Sequence, residues 1–299
     1  MKPKVIFLIP IFLFPALVQS QDKTIQIDGI DIKYETVGME SREEGQPVVI
    51  FENGLATPKG IWHKILESDS ELPPMFAYNR SGVADSELKI EEPTPKIVCN
   101  RLVNILEKLN IPPPYILVGH SFGGLYARYF AEYYPEKLAG LILVDPADFT
   151  ETREDKREYY KVLGWDKERI DQEIRTQDSI RANRKVDPNS AAYWEGQVLD
   201  KERMNDFRNI RNNPLPDIPF HIITGGRFDM PERMRSKEFD EETVFRNKMK
   251  LRTARWMELV QTVDKGKFLY SSNSGHNVML DDPELIISSI KMILLDLDD

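Results

Sequence analysis

One short segment constrains the fold of this chain more than any other: an apolar run that ends at a serine flanked by glycines. Residues 115–118 follow three prolines and are continuously apolar, which predicts a short buried strand. From Phe122 the apolar residues recur at helical spacing, and Pro135 ends the pattern. The sequence Gly-His-Ser-Phe-Gly at 119–123 therefore lies where a strand turns directly into a helix.

Such a tight turn has two predicted consequences. Ser121 at its apex adopts a strained backbone that exposes the hydroxyl, while Gly119 and Gly123 avoid a clash between the strand and the helix. The unpaired N–H groups at the start of the helix then point at any anion that forms beside the serine. The alternative is a solvated serine in an ordinary turn, and the presence of both flanking elements argues against it.

Strand-like and helical segments alternate along most of the chain. An Asp-Gly turn at 28–29 joins two alternating segments and predicts an opening β-hairpin. Further strands are predicted at 48–51, 75–78, 138–144, 218–224 and 267–270, and helices at 60–66, 95–109, 239–263 and 283–297. The alternation predicts an α/β fold: a mostly parallel central sheet with helices on both faces, which binds ligands beyond the carboxyl ends of its strands.

Between residues 146 and 216 the pattern changes: strand-like runs disappear, charge density rises, and aromatic residues are scattered among helical patterns. This indicates a helical cap insertion over 146–216, carried by a core domain made of residues 21–145 and 217–299. Tyr159, Trp165 and Trp194 lie in this insertion. Burial in its own core is the favoured interpretation for them, over lining an acyl pocket.

The first twenty residues have the pattern of a signal peptide. Lys2 and Lys4 precede a proline-interrupted apolar stretch, and a cleavage site is expected between Ser20 and Gln21. The stretch is too short for a membrane-spanning anchor, so we expect export to the periplasm or the medium without a stable membrane anchor. Cys99 is the only cysteine, which excludes an intrachain disulfide and favours a buried apolar role.

Composition narrows the possible partners. The formal net charge of −9 and the lack of a basic patch argue against nucleic acid. No His, Cys, Asp or Glu spacing matches a zinc or calcium site, and no glycine-rich phosphate loop is present. We therefore predict a small-molecule substrate and no cofactor.

A serine hydroxyl needs a base to become a nucleophile, and histidine is suited to that near neutral pH. Of the four histidines, His63 lies in an early helix, His120 is expected to point away from the serine, and His221 lies inside a strand. His276 follows the last predicted strand in a Ser-Gly-His loop and is free to reach Ser121. His276 is therefore the predicted base.

Two carboxylates compete to orient that histidine. Asp229 follows the penultimate strand and a Gly-Gly turn, and it is favoured because it fits the chain order Ser, Asp, His. Asp145 follows the preceding strand and remains the alternative, with a helix-capping role as its simpler explanation. For the oxyanion, the backbone N–H groups of Phe122 and Leu55 are predicted donors, since Gly54 permits a close approach of the second loop.

Six segments together resemble the α/β-hydrolase fold superfamily. In chain order they lie at 51–55, 78–82, 118–124, 141–145, 225–229 and 274–276. The resemblance implies Ser121 as nucleophile, His276 as base and Asp229 as acid, with Leu55 and Phe122 at the oxyanion hole. One departure is Asn53-Gly54, where relatives commonly have His-Gly. A serine at the turn also argues against the dehalogenase and epoxide hydrolase branches, which use aspartate there.

Taken together, these features predict a serine hydrolase that cleaves an ester, thioester or amide bond of a small substrate through an acyl-enzyme. An aminopeptidase-like enzyme of the same fold is the first alternative. A ligand-binding member that has kept the pocket without turnover is the second, and an intact triad argues against it.

Overall fold

The computed structural model describes residues 23–68 and 71–298, so the predicted signal peptide lies outside the described residues. Within them, eight strands form a single sheet. The strands are β1 Lys23–Ile27, β2 Ile30–Val37, β3 Val48–Glu52, β4 Met75–Tyr78, β5 Tyr115–His120, β6 Leu138–Val144, β7 Phe220–Gly225 and β8 Gly266–Ser271. Every predicted strand is present, with ends displaced by a few residues.

The strand order across the sheet is β1-β2-β4-β3-β5-β6-β7-β8. The hairpin strands β1 and β2 are antiparallel, and β2 pairs with β4 in the same sense. All pairings from β4 through β3 to β8 are parallel. The carboxyl ends of β3, β5, β6, β7 and β8 therefore meet along one edge, where the predicted polar loops begin.

Nine α-helices are described. They are α1 His63–Leu66, α2 Pro95–Lys108, α3 Phe122–Tyr133, α4 Arg153–Lys161, α5 Lys167–Ala182, α6 Ala191–Met204, α7 Glu241–Val260, α8 Val278–Asp281 and α9 Pro283–Asp298. Short 3-10 turns join several of them. The helix predicted at 239–263 is α7, shortened at both ends because Asp240 caps its start and Gln261 its end.

Two apolar clusters cover the two faces of the sheet. Successive residues of β3 belong to opposite clusters: Val48 and Ile50 face α2, α3 and α7, whereas Val49 and Phe51 face α1, α8 and α9. A strand buried on both faces has no polar alternation, which explains the continuous apolar runs in the sequence. The predicted α/β architecture is confirmed. Cys99 is buried and free, as predicted.

Helices α4, α5 and α6 all lie between β6 and β7, inside residues 146–216. That segment is fully described and contains no strand, in agreement with the predicted helical character. Within the described residues, no helix is both long and apolar enough to cross a membrane.

Candidate active site

Ser121 occupies the turn between β5 and α3 with a φ of 53° and a ψ of −119°. A positive φ strains any residue with a side chain. A Cβ on Gly119 would lie 2.7 Å from Ala127 Cβ, and one on Gly123 would lie 2.2 Å from the Asn53 carbonyl oxygen. Neither approach is tolerable, so the turn requires glycine at both positions, as predicted.

The structure brings Ser121 and His276 together although 155 residues separate them. His276 Nε2 lies 2.9 Å from Ser121 Oγ. The histidine follows β8 in the Ser-Gly-His loop, and its side chain is 55% exposed. A partly solvated imidazole in contact with a hydroxyl is placed to accept the proton of that hydroxyl and is open to small molecules.

Asp145 is the carboxylate that contacts this histidine. Its Oδ2 lies 2.5 Å from His276 Nδ1, so Nδ1 carries the hydrogen and Nε2 is free to accept from Ser121. Asp145 follows β6, the strand next to β5, and its backbone N–H donates to the Ile223 carbonyl at 2.7 Å. Its φ of 39° turns the chain away from the sheet at this point.

The prediction that Asp229 would hold the histidine is wrong in this structure. Asp229 lies on the loop after β7, where it accepts from Arg227 Nε at 2.6 Å, and its side chain is 47% exposed. Chain order did not separate the two candidates, because Asp145 and Asp229 both lie between Ser121 and His276. Side-chain contacts separate them: Asp145 is buried beside Arg252 and His276, whereas Asp229 is bound at the surface by Arg227.

Asp145 is held ionised by its surroundings. Burial alone would raise its pKa, but the Arg252 guanidinium and the hydrogen bond from His276 lower the pKa to about 2. Thr224 Oγ1 donates to Asp145 Oδ1 at 2.8 Å, and Arg252 Nη1 lies 3.3 Å from the same oxygen. The negative charge opposite His276 is therefore present at any neutral or mildly acidic pH.

The His120 side chain contacts both the backbone and the ring of His276. Its Nε2 is 2.9 Å from the His276 carbonyl oxygen, and the two rings are 4.7 Å apart. Burial and then the nearby His276 lower the pKa of His120 to about 4, so it is neutral at pH 7 and donates this hydrogen bond through Nε2. The ring nitrogen bonded to Ser121 Oγ is that of His276, and His120 instead supports the backbone of the histidine loop.

The loop after β3 carries Leu55, a predicted oxyanion donor. This loop packs against the start of α3, since the Asn53 carbonyl faces Gly123. Phe122, the other predicted donor, is the first residue of α3, so its N–H has no partner within the helix. Asn53 replaces the family's common histidine in a structural role: its side chain donates to the Tyr78 carbonyl at 2.6 Å and accepts from Trp62 at 2.8 Å.

Arg80 holds the loop after β3 through hydrogen bonds to its backbone carbonyls. It is 4% exposed. Its Nη1 donates to the Asn53 carbonyl and its Nη2 to the Gly54 carbonyl, each at 2.7 Å. The same guanidinium pairs with Glu52, the last residue of β3. The planar fork of arginine thus holds two successive carbonyls of the loop in one orientation.

A side chain from the helical insertion completes this arrangement. Glu195 on α6 accepts from Arg80 Nε at 2.7 Å and from Arg80 Nη2 at 2.8 Å. Its Oε2 also accepts from the Ala56 N–H at 2.7 Å. Glu195 is 2% exposed. The orientation of the loop around Leu55 therefore depends on a carboxylate that lies outside the sheet and its flanking helices.

Sequence reasoning found Ser121 and His276 but missed their supporting residues. Arg80 lies in the segment 78–82, two residues after the buried strand β4, and that position was an available signal. Glu195 and Arg252 gave none, because each reaches its partner from a helix more than one hundred residues away.

A cavity of about 260 Å³ opens at the serine. Charged side chains line much of it. The lining includes Ser121, His276, Asp148, Glu151, Arg203 and Lys248. No group of three or more His, Cys, Asp or Glu side chains capable of holding a metal occurs among the residues that the structure describes.

Several known proteins are similar to this chain in sequence or in fold. The family model for the alpha/beta hydrolase fold matches residues 47–209, more than half of the chain. An uncharacterized protein of Bacillus subtilis, YqjL, is 26% identical over 99 residues, or 33% of this chain. An AB hydrolase superfamily protein of Gibberella zeae is 19% identical over 279 residues, covering 83% of this chain and 86% of its own length.

Two curated relatives, the Bacillus protein among them, are matched over only 39% and 40% of their own length. Among solved structures, a thermophilic esterase from Thermogutta terrifontis aligns with a TM-score of 0.59 at 17% identity, covering 93% of this chain and 99% of the esterase. At that identity the likeness concerns the fold. The family match and the shared sheet agree, and the chain belongs to the alpha/beta hydrolase fold family.

Proposed function

We propose that this protein is a serine hydrolase that cleaves an ester, thioester or amide bond of a small substrate through an acyl-enzyme on Ser121. The observation that carries the proposal is the continuous hydrogen-bonded chain from Ser121 Oγ through His276 to Asp145, with distances of 2.9 and 2.5 Å. Three side chains distant in sequence meet at the carboxyl edge of the sheet in the order that nucleophilic catalysis needs.

In the proposed first step, Ser121 Oγ attacks the carbonyl carbon of the substrate while His276 Nε2 takes the hydroxyl proton. Asp145 stabilises the imidazolium without taking the proton itself. The tetrahedral intermediate collapses, the bond to the leaving group breaks, and His276 returns the proton to that group. Water then attacks the acyl-enzyme by the same route and releases the acid and free Ser121.

The negative charge of the tetrahedral intermediate would be met by the N–H groups of Phe122 and Leu55. Such donors contribute most when they are held in place before the reaction begins. The Arg80 bond to the Gly54 carbonyl supports that preorganisation, because this carbonyl shares its peptide plane with the Leu55 N–H and the plane cannot rotate freely.

The direct test compares wild type with Ser121→Ala on short-chain 4-nitrophenyl esters. Loss of the nucleophile should lower kcat by roughly 10⁴–10⁶-fold. A fluorophosphonate probe should label wild type at residue 121, and digestion with mass spectrometry should find the adduct there. Equal rates for the two proteins would overturn the proposal, as would labelling at another residue.

The same probe separates turnover from binding alone. A ligand-binding protein with a misaligned triad should stay unlabelled.

The aminopeptidase alternative needs a free carboxylate to hold the substrate amine. The nearby carboxylates are already engaged: Asp148 pairs with Arg255 at 2.6 Å, and Glu151 accepts from Tyr159 Oη at 2.8 Å. These pairings favour an esterase-type substrate.

Export of the mature chain and a separate cap made by residues 146–216 remain part of this proposal. Sequencing the N-terminus of the protein recovered outside the cytoplasm should begin at Gln21. An uncleaved chain that starts at Met1 would contradict the export step.

A further inference from the structure

Three cationic side chains line the cavity at the serine, and only one of them, Arg252, is paired with the carboxylates at its base. Arg203 projects from the last turn of α6 and Lys248 from the middle of α7, and both line the same cavity as Ser121 and His276. Neither takes part in the hydrogen-bonded chain of the triad. Because they come from two different helices, positive charge reaches this small space from two elements of the fold.

The carboxylates of this cavity are mostly paired with other cations. Asp145 faces Arg252 and His276. Asp148 is bound by Arg255, and Lys156 lies 3.8 Å from Glu151. Most of the negative charge near the serine is thus balanced without either Arg203 or Lys248.

Arg203 has only a weak carboxylate partner. Asp200, three residues earlier on the same helix, lies 3.4 Å away and is about one-third exposed. Such a pair at the surface of a helix is strongly screened by solvent. Burial and then the nearby Arg181 charge lower the pKa of Arg203, and the Asp200 and Glu151 carboxylates offset this only in part.

Lys248 has no carboxylate partner among the described residues, and its Nζ lies 5.7 Å from the centroid of the Tyr159 ring. It stands at the junction with a second cavity of about 280 Å³, which shares Glu151 and Lys248 with the first and is lined by Tyr160, Phe228 and Phe245. The ammonium group therefore faces a space that extends beyond the serine.

From this arrangement we propose that Arg203 and Lys248 form an anion subsite, and that the substrate is an ester bearing a carboxylate a few bonds from the scissile carbonyl. The inference rests on the proposed serine hydrolase function and names its substrate class. Arginine binds carboxylates through its planar fork, and lysine adds a mobile point charge. A neutral ester of the same shape brings no counter-charge to either cation.

The first experiment uses matched esters. Mono(4-nitrophenyl) adipate and its methyl ester differ by one charge on the acyl side, whereas 3-acetoxybenzoate and its methyl ester differ by one charge on the alcohol side. Wild type should favour the charged member of at least one pair by about tenfold in kcat/KM. The pair that shows the preference identifies the side of the scissile bond, and added salt should reduce it.

Substitutions then assign the preference to the two side chains. Arg203→Gln and Lys248→Gln should each lower the ratio of charged to neutral kcat/KM on the order of fivefold to tenfold. Lys201→Gln and Lys250→Gln are matched controls on the same two helices, with side chains outside the cavity lining, and should leave the ratio unchanged. A ratio near one in wild type, or unchanged in both Arg203 and Lys248 variants, overturns the subsite.

Binding gives a readout that does not depend on turnover. Titration calorimetry with adipate monomethyl ester should show binding to wild type and to Ser121→Ala, with at least a fivefold weaker Kd in Arg203→Gln. No binding to either protein overturns the subsite. If neutral esters are hydrolysed by wild type but not by Ser121→Ala and no charge preference appears, the subsite fails and the hydrolase survives. If Ser121→Ala is as active as wild type, the hydrolase fails while the binding measurement still decides the subsite.

Discussion

Two loops flank Ser121, and they are stabilised in different ways. The loop after β6 carries Asp145, whose partners Thr224 and Arg252 come from β7 and α7, elements of the sheet and its covering helices. The loop after β3 carries Leu55 and is held by Arg80 together with Glu195 from the helical insertion. We call the first the acid loop and the second the oxyanion loop.

The difference separates two parts of the proposed chemistry. The acid loop is complete within the core, so the base that activates Ser121 does not depend on the insertion. The oxyanion loop receives one of its anchors from α6, so stabilisation of the intermediate depends on how the insertion sits on the sheet. Changes in the insertion should therefore affect the transition state more than the activation of the nucleophile.

The largest expected effect is on the acid loop. Asp145→Asn should lower kcat by roughly 10³–10⁴-fold, because an amide cannot stabilise the imidazolium and can hold the wrong tautomer of His276. Steady-state hydrolysis of a 4-nitrophenyl ester measures the change. Asp229→Asn is the control and should retain activity within about threefold, since that carboxylate is exposed and pairs with Arg227. The reverse order of effects would restore Asp229 as the acid.

An intermediate effect is expected on the oxyanion loop. Glu195→Gln keeps the shape of the side chain but removes the charge that faces Arg80, so the loop loses part of its orientation. We expect kcat to fall by about tenfold to a hundredfold with KM changed less than threefold, as for loss of a contact made in the transition state. Affinity for a boronic acid inhibitor should fall in parallel.

Glu202→Gln provides the matched control for that variant. Glu202 is also buried on α6, but its contact is Tyr129 Oη at 2.9 Å, away from the oxyanion loop. Circular dichroism should find both variants folded. An equal fall in kcat for both would mean that any lost carboxylate on α6 disturbs the site, and the specific role of Glu195 would be excluded.

The sequence predicted the nucleophile and the base better than the carboxylate of the acid loop. Ser121 and His276 were found because each follows a strand, Ser121 directly after β5 and His276 in the loop after β8, at an edge that parallel topology makes common to all. The choice between Asp145 and Asp229 depended on side-chain contacts: which carboxylate is buried beside an arginine and which is bound at the surface. Periodicity and chain order carry no information on that.

The partners of the oxyanion loop were harder to predict for a related reason. Arg80 lies in the short polar segment 78–82, which the sequence pattern singled out. Its role in orienting the oxyanion loop depends on its pairing with Glu195, 115 residues away on α6, and the pattern did not indicate that pairing. Helical patterns over residues 146–216 predicted the helical character of this segment, without the bounds of its helices. They could not indicate which face of α6 meets the sheet, because charged and aromatic residues are spread around that helix.

The smallest expected effect is a difference in pH dependence between the loops. The folded-state pKa of Asp145 is about 2 against an ordinary 3.8, so the folded protein binds fewer protons there than the unfolded chain, and the stabilisation is lost as pH falls. Glu52, the last residue of β3 before the oxyanion loop, has the opposite sign: burial, only partly offset by Arg80, raises its pKa, so its contribution to stability grows as pH falls. Asp145→Asn should therefore remove about 1 kcal/mol of the loss in unfolding free energy between pH 5 and pH 3, whereas Glu52→Gln should steepen that loss.

Urea unfolding at pH 5, 4 and 3 measures both slopes, with Asp229→Asn as the unchanged control. Slopes that shift in the same direction would show that the two carboxylates share one environment and that the loops are not electrostatically distinct.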